Sequence, residues 1–402
     1  MKKSILWISL CAPYDSVAHG GGKTHNYYLK KVFSSGKFNI DLITFCDLEE
    51  YDKAEKDLSH YGINHEVIPW VHDISISTIK RKIQLLDMLH NPFNKFGGAT
   101  NEYYWDKIKE TIKRNKYAPD IIILQWTEIV LFADRIKKLF PGTKIVAIEE
   151  DVKFLANERQ IMISDNKIIK SFNVLKYKAL YNKEINELKL VDYIITYSKK
   201  DENLLTEGGI SNIMVVSPFF ENYSTCIRTE NADDIIFYGA MSRKDNYESA
   251  IWFINNVLYE VSDKEIKFIV VGSKPVEKLK KYSSERVIIT GFVDSVAPFF
   301  ENGLLLVAPL ISGAGIKIKI LEALSAGIPV VTNNIGIEGI NAKAGRDYIH
   351  CENADEYIKI INDIQSKKID LTVYSQNSRN FIRTNYNLEN DADRIIKALE
   401  RL

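Results

Sequence analysis

Ser312-Gly313-Ala314-Gly315-Ile316-Lys317-Ile318-Lys319-Ile320-Leu321-Glu322-Ala323-Leu324-Ser325-Ala326-Gly327-Ile328-Pro329-Val330-Val331 follows the apolar run Leu304 to Ala308. Together they read as strand, glycine loop, helix, turn, strand, the unit from which doubly wound α/β sheets are built. Glycines just ahead of a helix let the backbone approach a ligand closely, and the free amides and dipole at that helix start suit a phosphate or diphosphate. Lys317 or Lys319 can add a full positive charge. Lys319 and Glu322 are three residues apart, so a helix presents them on one face, where Glu322 could accept hydrogen bonds from ribose hydroxyls. Spacing alone does not separate this from a glycine turn opening a helix whose Lys and Glu form a solvated ion pair.

The same alternation extends in both directions. Apolar runs at Ser4 to Leu10, Ile40 to Phe45, Ile121 to Gln125, Lys144 to Ile148 and Tyr193 to Tyr197 read as buried parallel strands. Between them lie helix-compatible stretches, notably Lys23 to Ser34, Glu102 to Lys116 and Glu128 to Phe140. A second series has strands at Ile235 to Tyr238, Lys267 to Val271, Val287 to Thr290, Leu304 to Ala308 and Pro329 to Thr332. Ser217-Pro218-Phe219-Phe220 and the polar stretch to Asp234 separate the series. The expected organisation is α/β, with one Rossmann-like domain over 1–217 and a second over 218–387. Ile395, Ile396, Leu399 and Leu402 recur at helical spacing, so 388–402 should form a helix that packs one face.

A length of 402 residues suits two domains rather than one core. Basic and acidic residues balance at 53 each, which gives no global field toward nucleic acid or anionic lipid. Cys11, Cys46, Cys226 and Cys351 form no C-x-x-C pair, which speaks against a zinc ribbon or disulfide framework and for a reducing cytoplasm. No apolar stretch approaches the roughly 20 residues a spanning helix needs, so a soluble chain is expected. Lys80, Arg81 and Lys82 ahead of Ile83, Leu85, Leu86 and Leu89 leave peripheral contact with the inner membrane face open, beside the plainer reading of a packed amphipathic helix.

Several local signals have a structural reading as strong as the functional one. Gly22-Lys23-Thr24 imitates the end of a P-loop, but Val17 stands where that motif needs its first glycine. His19 and His25 flank the glycines and could meet an acceptor or be purely structural. Asp151 could act in catalysis or cap a helix. Trp126 and Glu128, in Gln125-Trp126-Thr127-Glu128, stand at a strand end, where clefts of doubly wound sheets form, and could line an acceptor side or be a packed Trp beside a cap.

The opening stretch resembles the donor-binding motif of family 4 retaining glycosyltransferases, particularly the bacterial polysaccharide members. Further segments match in order: Ile236 to Met241 with Asn246, Val270 to Pro275, Gly291-Phe292-Val293-Asp294 and Gly336-Ile337-Glu338-Gly339. Upstream, Gly20-Gly21-Gly22 resembles the family's glycine loop, and Ser198 with Asp201 its Ser-x-x-Asp helix start. The resemblance implies the two-domain GT-B architecture, with both Rossmann-like domains facing a central cleft and the C-terminal helix crossing back to the first. It also implies a nucleotide-diphosphate sugar as donor, uridine favoured, a glycan, lipid-linked or protein acceptor, retention of anomeric configuration, and no metal or other cofactor. Under it Glu322 holds the ribose, Gly272, Ser273 and the backbone near Val293 hold the base, and the amides of Ala314 to Ile316 hold the diphosphate, with Gly21 and Gly22 opposite.

The chain departs from that family at three places. Ala314 stands where many members have a sugar-contacting glutamate. Their Arg and Lys pair after the first strand of the second domain is missing, with Arg243, Lys244 and Lys319 the candidates to replace its charge. Glu150 stands where histidine is common, beside a retained Asp151; both are the candidate catalytic residues. These losses motivate two alternatives, a non-catalytic glycosyltransferase-like subunit and, on fold grounds, a nucleotide-sugar epimerase.

Overall fold

The computed structural model of the chain describes residues 2–17, 19–70, 98–152, 154, 167–229, 232–313 and 315–402. Ala314 and the Lys80 to Leu89 stretch lie outside them. The chain divides into two compact units, 1–219 with 388–402, and 220–387. The change of unit falls at Phe219 to Phe220.

In the first unit seven strands form one parallel sheet: β1 (Lys3–Ser9), β2 (Phe38–Cys46), β3 (Asn64–Pro69), β4 (Ile121–Gln125), β5 (Lys144–Glu149), β6 (Tyr193–Thr196) and β7 (Ile213–Val215). Their order is β3-β2-β1-β4-β5-β6-β7. Trp7 of β1 pairs with Leu42 on one side and Ile123 on the other, so β1 and β4 carry the point where strand order reverses. Both faces of the central strands are covered, which is why they read as unbroken apolar runs. The strands absent from the sequence reading are those without such a run: β3 is Asn-His-Glu-Val-Ile-Pro, and β7 has three half-buried residues.

Helices of this unit are α1 (Gly20–Ser34), α2 (Tyr51–Tyr61), α3 (Gly98–Asn115), α4 (Thr127–Val130), α5 (Ala133–Leu139), α6 (Lys167–Leu188) and α7 (Lys199–Glu207). The single helix expected over Glu128 to Phe140 is two short ones, because the chain turns at Leu131 and Phe132 to bury both side chains. Gly20, Gly21 and Gly22 are not a loop, as expected, but the first turn of α1. The His19 ring caps that turn by accepting from Gly22 N at 2.9 Å, and a Cβ on Gly22 would lie 2.5 Å from Val17.

The second unit carries β8 (Asp234–Tyr238), β9 (Phe268–Val271), β10 (Val287–Gly291), β11 (Gly303–Ala308), β12 (Val330–Thr332) and β13 (Ile349–His350), in the parallel order β10-β9-β8-β11-β12-β13. Its helices are α8 (Lys244–Phe253), α9 (Glu277–Lys280), α10 (Ala297–Asn302), α11 (Ile318–Ala326), α12 (Ala354–Gln365) and α13 (Leu371–Asn385). The segment expected to be a polar linker packs into this unit: Phe220 and Cys226 are buried, and Arg228 donates to the carbonyls of Gly303 and Leu304 at 2.7 and 2.9 Å. Strand order reverses between β8 and β11, so the crevice that doubly wound sheets offer to ligands opens where β8 runs into Gly239 and β11 into Gly313.

The last helix, α14 (Leu388–Arg401), belongs to the first unit. Ala392, Ile395, Ile396 and Leu399 are buried along one face. Its rim is tied down by Lys31 Nζ to Glu389 at 2.6 Å, Lys37 Nζ to Glu400 at 2.9 Å, and the Ser217 amide to Asp391 at 2.8 Å.

Candidate functional site

In the second unit the site grows from the reversal point. Gly239 ends β8 and Gly272 ends β9, and the two backbones touch: a Cβ on Gly272 would lie 1.7 Å from the Gly239 carbonyl oxygen, and one on Gly239 would lie 2.9 Å from Asn246 Nδ2. Only glycine fits either place, and the result is a flat floor at the strand ends. The Met241 amide donates to the Ser273 carbonyl at 2.9 Å, tying the two loops together. Val293, half-buried, packs on the same core just past β10.

From β11 the chain passes through Gly313 and Gly315, with φ of 124° and 69°, into α11. Ile316 packs partly against the core below. Lys317 is the cap residue of α11 and is buried; its ammonium donates to the Gly315 carbonyl at 2.6 Å and stands 3.9 Å from Glu338 Oε2. It therefore stiffens the glycine turn rather than extending into water.

Lys319, in the first turn of α11, donates to Asn246 Oδ1 at 2.5 Å and lies 4.8 Å over the Phe237 ring. Asn246 Nδ2 donates in turn to the Ala240 carbonyl at 2.9 Å, which aims Oδ1 at the lysine. Burial, the largest influence, pushes the Lys319 pKa down to about 7; Asp245 opposes that shift, while Lys317 and Arg243 add to it.

Glu322, one turn further on, is buried rather than presented on an open helix face or in a solvated ion pair. Helix α11 is apolar almost all round, and packing on both sides draws the carboxylate inward. The Glu221 amide points at its Oε1 from 3.4 Å, and Tyr238 and Tyr223 lie near enough that burial, with the Glu322 charge adding to it, raises both phenol pKa values. Arg243 and Lys244 are exposed at the start of α8, where Arg243 is paired with Asp245 at 3.1 Å. Asp245, Gly239 and the two tyrosines were given no individual role from the sequence, although Tyr238 and Gly239 lie inside the matched run Ile236 to Met241. The usable signal was that Gly239 and Gly272 each directly follow a short apolar strand.

In the first unit, the reversal point gathers Gly21, Trp126 and Glu150. A Cβ on Gly21 would lie 3.1 Å from Glu150 Oε2 and 3.6 Å from the Trp126 ring. Gln125 holds the carboxylate from the side, with Nε2 donating to Glu150 Oε1 at 2.9 Å while its Oε1 accepts from Trp7 Nε1 at 2.9 Å. Buried Tyr197 has its pKa raised by burial first and by Glu150 second. Trp126 is itself buried, with a φ of 71°, and packs edge-on against His25.

His25 is fully buried, and desolvation drives its pKa down to about 3, so it is a neutral core residue. Asp151, partly buried, lies in a bend after β5, and its carbonyl accepts from Thr127 Oγ1 at 3.2 Å. The same hydroxyl donates to buried Glu149. Glu128 is half-buried in the first turn of α4. Among the described residues no three of His, Cys, Asp and Glu are grouped to hold a metal, and no helix is long and apolar enough to cross a membrane.

Two parallel Rossmann-like sheets, with the final helix counted in the first unit, give the chain the GT-B fold. Residues 232–366, most of the second unit, match the family described as "Glycosyl transferases group 1". The chain is similar to a 44.6 kDa protein of the cps region of Klebsiella pneumoniae, 24% identical over 60% of this chain and 70% of that one. It is also similar to a glycosyltransferase of Methanocaldococcus jannaschii, 23% identical over 66% of this chain and 70% of the other. Among solved structures, HepE of Anabaena in complex with UDP superimposes with a TM-score of 0.67 at 13% identity, over the full length of both chains.

Proposed function

We propose that the protein transfers a sugar from a nucleotide-diphosphate sugar, with uridine the favoured base, to a hydroxyl of a glycan, lipid-linked or protein acceptor, and that the anomeric configuration is retained. The observation that carries this reading is the start of α11, where Gly313, Gly315, Lys317 and Lys319 converge beside the Gly239–Gly272 floor at the strand reversal point. A helix start with two lysines suits a diphosphate, and a glycine floor suits a flat base. The HepE neighbour, solved with UDP, supports a uridine donor.

In this reading the acceptor oxygen bonds to the anomeric carbon as the bond from that carbon to the diphosphate oxygen breaks. The departing diphosphate takes up the electron pair and is held by the α11 amides and the lysines, and the acceptor's proton leaves to that diphosphate or to solvent. Preorganised charge supplies most of the acceleration, and fixed cations do the work that a divalent metal does elsewhere. Glu150, oriented by Gln125, and Asp151 are the carboxylates assigned to catalysis, with Trp126 and Glu128 on the acceptor side.

The test is titration calorimetry with uridine, guanosine and adenosine diphosphates and their common sugars. Product analysis then follows with and without a sugar acceptor. Binding of one nucleotide sugar and an acceptor-dependent product with unchanged anomeric configuration is the expected result. Binding of none favours the non-catalytic subunit, which the alanine at position 314 motivates; conversion of donor alone favours an epimerase.

A further inference from the structure

A second recess lies in the second unit, at the edge of the sheet opposite the strand reversal loops. Gly303 and Leu304 open β11 there, about 17 Å of strand before Ala308 leads toward the glycine loop. The recess has a volume of about 570 Å³. The start of α13 lines it with Thr372, Ser375 and Gln376, and Arg379 follows one turn after Ser375; Arg228 and Leu304 line it from the rest of the unit.

The two arginines give the recess its character. Arg228 donates to Ser375 Oγ at 3.2 Å as well as to the Gly303 and Leu304 carbonyls, and Arg379 donates to the carbonyls of Ser224, Cys226 and Ala326 at 3.0, 2.6 and 2.6 Å. Every one of these acceptors is neutral. A guanidinium carries five N–H donors, so neither arginine uses all of its own, and Arg228 Nε is buried with no acceptor. Among the described residues neither arginine makes an ion pair. The carboxylates of neighbouring segments are committed elsewhere: Glu301 to the Cys226 thiol, Asp370 to the Thr372 amide at 2.9 Å, and Asp234 is offset by Lys267. Burial first, and the charge of Arg379 second, bring the Arg228 pKa down to about 10, as expected of two like charges without a counter-ion.

We propose that this recess binds a phosphate group, carried on a sugar or free, at a site separate from the donor crevice. Tying down carbonyls does not by itself call for two cations side by side, since amide side chains donate as well without the repulsion. A phosphate that meets both arginines relieves that repulsion and gains charge-assisted hydrogen bonds, for which the arginine fork is suited. Its two negative charges answer two cations, where a carboxylate answers one. Ser375 Oγ accepts from Arg228, which leaves its own proton to donate to a phosphate oxygen, and Thr372 adds a second hydroxyl. Leu304 and Leu371 supply an apolar wall suited to the C–H face of a sugar ring, which favours a sugar phosphate over the bare ion.

The experiment is calorimetry of the full chain with glucose 6-phosphate, inorganic phosphate and glucose at about pH 7.5, where the phosphate, with a second pKa of roughly 6, is doubly charged. The expected result is binding of glucose 6-phosphate at least about threefold tighter than inorganic phosphate, and none of glucose. Gln376 is exposed on α13, so Gln376→Glu sets a carboxylate beside the arginines without disturbing the core. Arg228→Gln and Gln376→Glu should each weaken glucose 6-phosphate binding at least about tenfold and leave nucleotide-sugar affinity within about twofold. Inorganic phosphate binding as tightly as the ester, and lost in the same variants, upholds the site and makes free phosphate its ligand. Glucose binding as tightly as its phosphate, no binding of either phosphate at about 10 mM, or an affinity unchanged in Gln376→Glu overturns the proposal. Equal loss of nucleotide-sugar affinity in Gln376→Glu places the bound phosphate in the donor crevice and overturns it too. The donor reading is not required: a chain that binds glucose 6-phosphate in this way and no nucleotide sugar sinks that reading alone. Should Arg228→Gln lose its fold by circular dichroism, Gln376→Glu decides.

Discussion

At the scale of single residues, burial sorts the candidates. Glu322 is enclosed by α11, Tyr223 and Tyr238, so removing its side chain would disturb packing as well as ligand contacts. Glu322→Gln keeps the shape and removes the charge. It should weaken nucleotide binding by about tenfold to a hundredfold, the loss of hydrogen bonds to a charged acceptor, while the melting temperature changes little; calorimetry and thermal unfolding measure the two. His25 gives a pH signature. Its folded pKa near 3 lies below the unfolded value, so the unfolded chain binds a proton that the native one refuses. Stability from this residue is complete above roughly pH 6.5 and falls by about 1.4 kcal/mol per unit as the pH drops toward 3. Urea unfolding at several pH values should show that slope, and His25→Gln should flatten it.

At the scale of elements, the glycine contact between the ends of β8 and β9 is the tightest in the second unit. Gly272→Ala would drive a methyl group to 1.7 Å from a backbone oxygen that has no rotamer to escape through. A loss of about 3 kcal/mol in denaturant unfolding is expected, together with loss of nucleotide binding. Helix α14 has an equally clear role. Ile395→Ala should cost about 2–4 kcal/mol by opening a cavity in the first unit, whereas substituting exposed Lys397 should be near neutral. β1, β4, β8 and α14 were also the easiest elements to read, because the three strands are continuous apolar runs and the helix repeats its apolar residues at helical spacing. Strands β3 and β13 were not, because a polar edge strand and a two-residue strand leave no period to detect.

At the scale of the whole molecule, charge balance is the governing property. With 53 basic and 53 acidic residues the chain has no net charge to set up a long-range field, and any anion must be met locally. Retention on a heparin column should therefore be negligible at about 0.1 M salt, while nucleotide sugars still bind; strong retention would contradict this. The sequence by itself determined the alternation of strand and helix, the presence of two α/β units, and the glycine-to-helix stretch at Gly313 to Glu322, because periodicity and glycine placement are local and survive in a linear string. Tertiary structure alone decided what those residues do. Gly20 to Gly22 became a helix turn because His19 folds back to cap it, and Glu322 became buried because α11 is packed on two sides. Lys319 is engaged by Asn246 and Phe237, both remote in sequence. Burial and charge neighbours are set by segments far apart in the chain, and no spacing rule along one helix contains them.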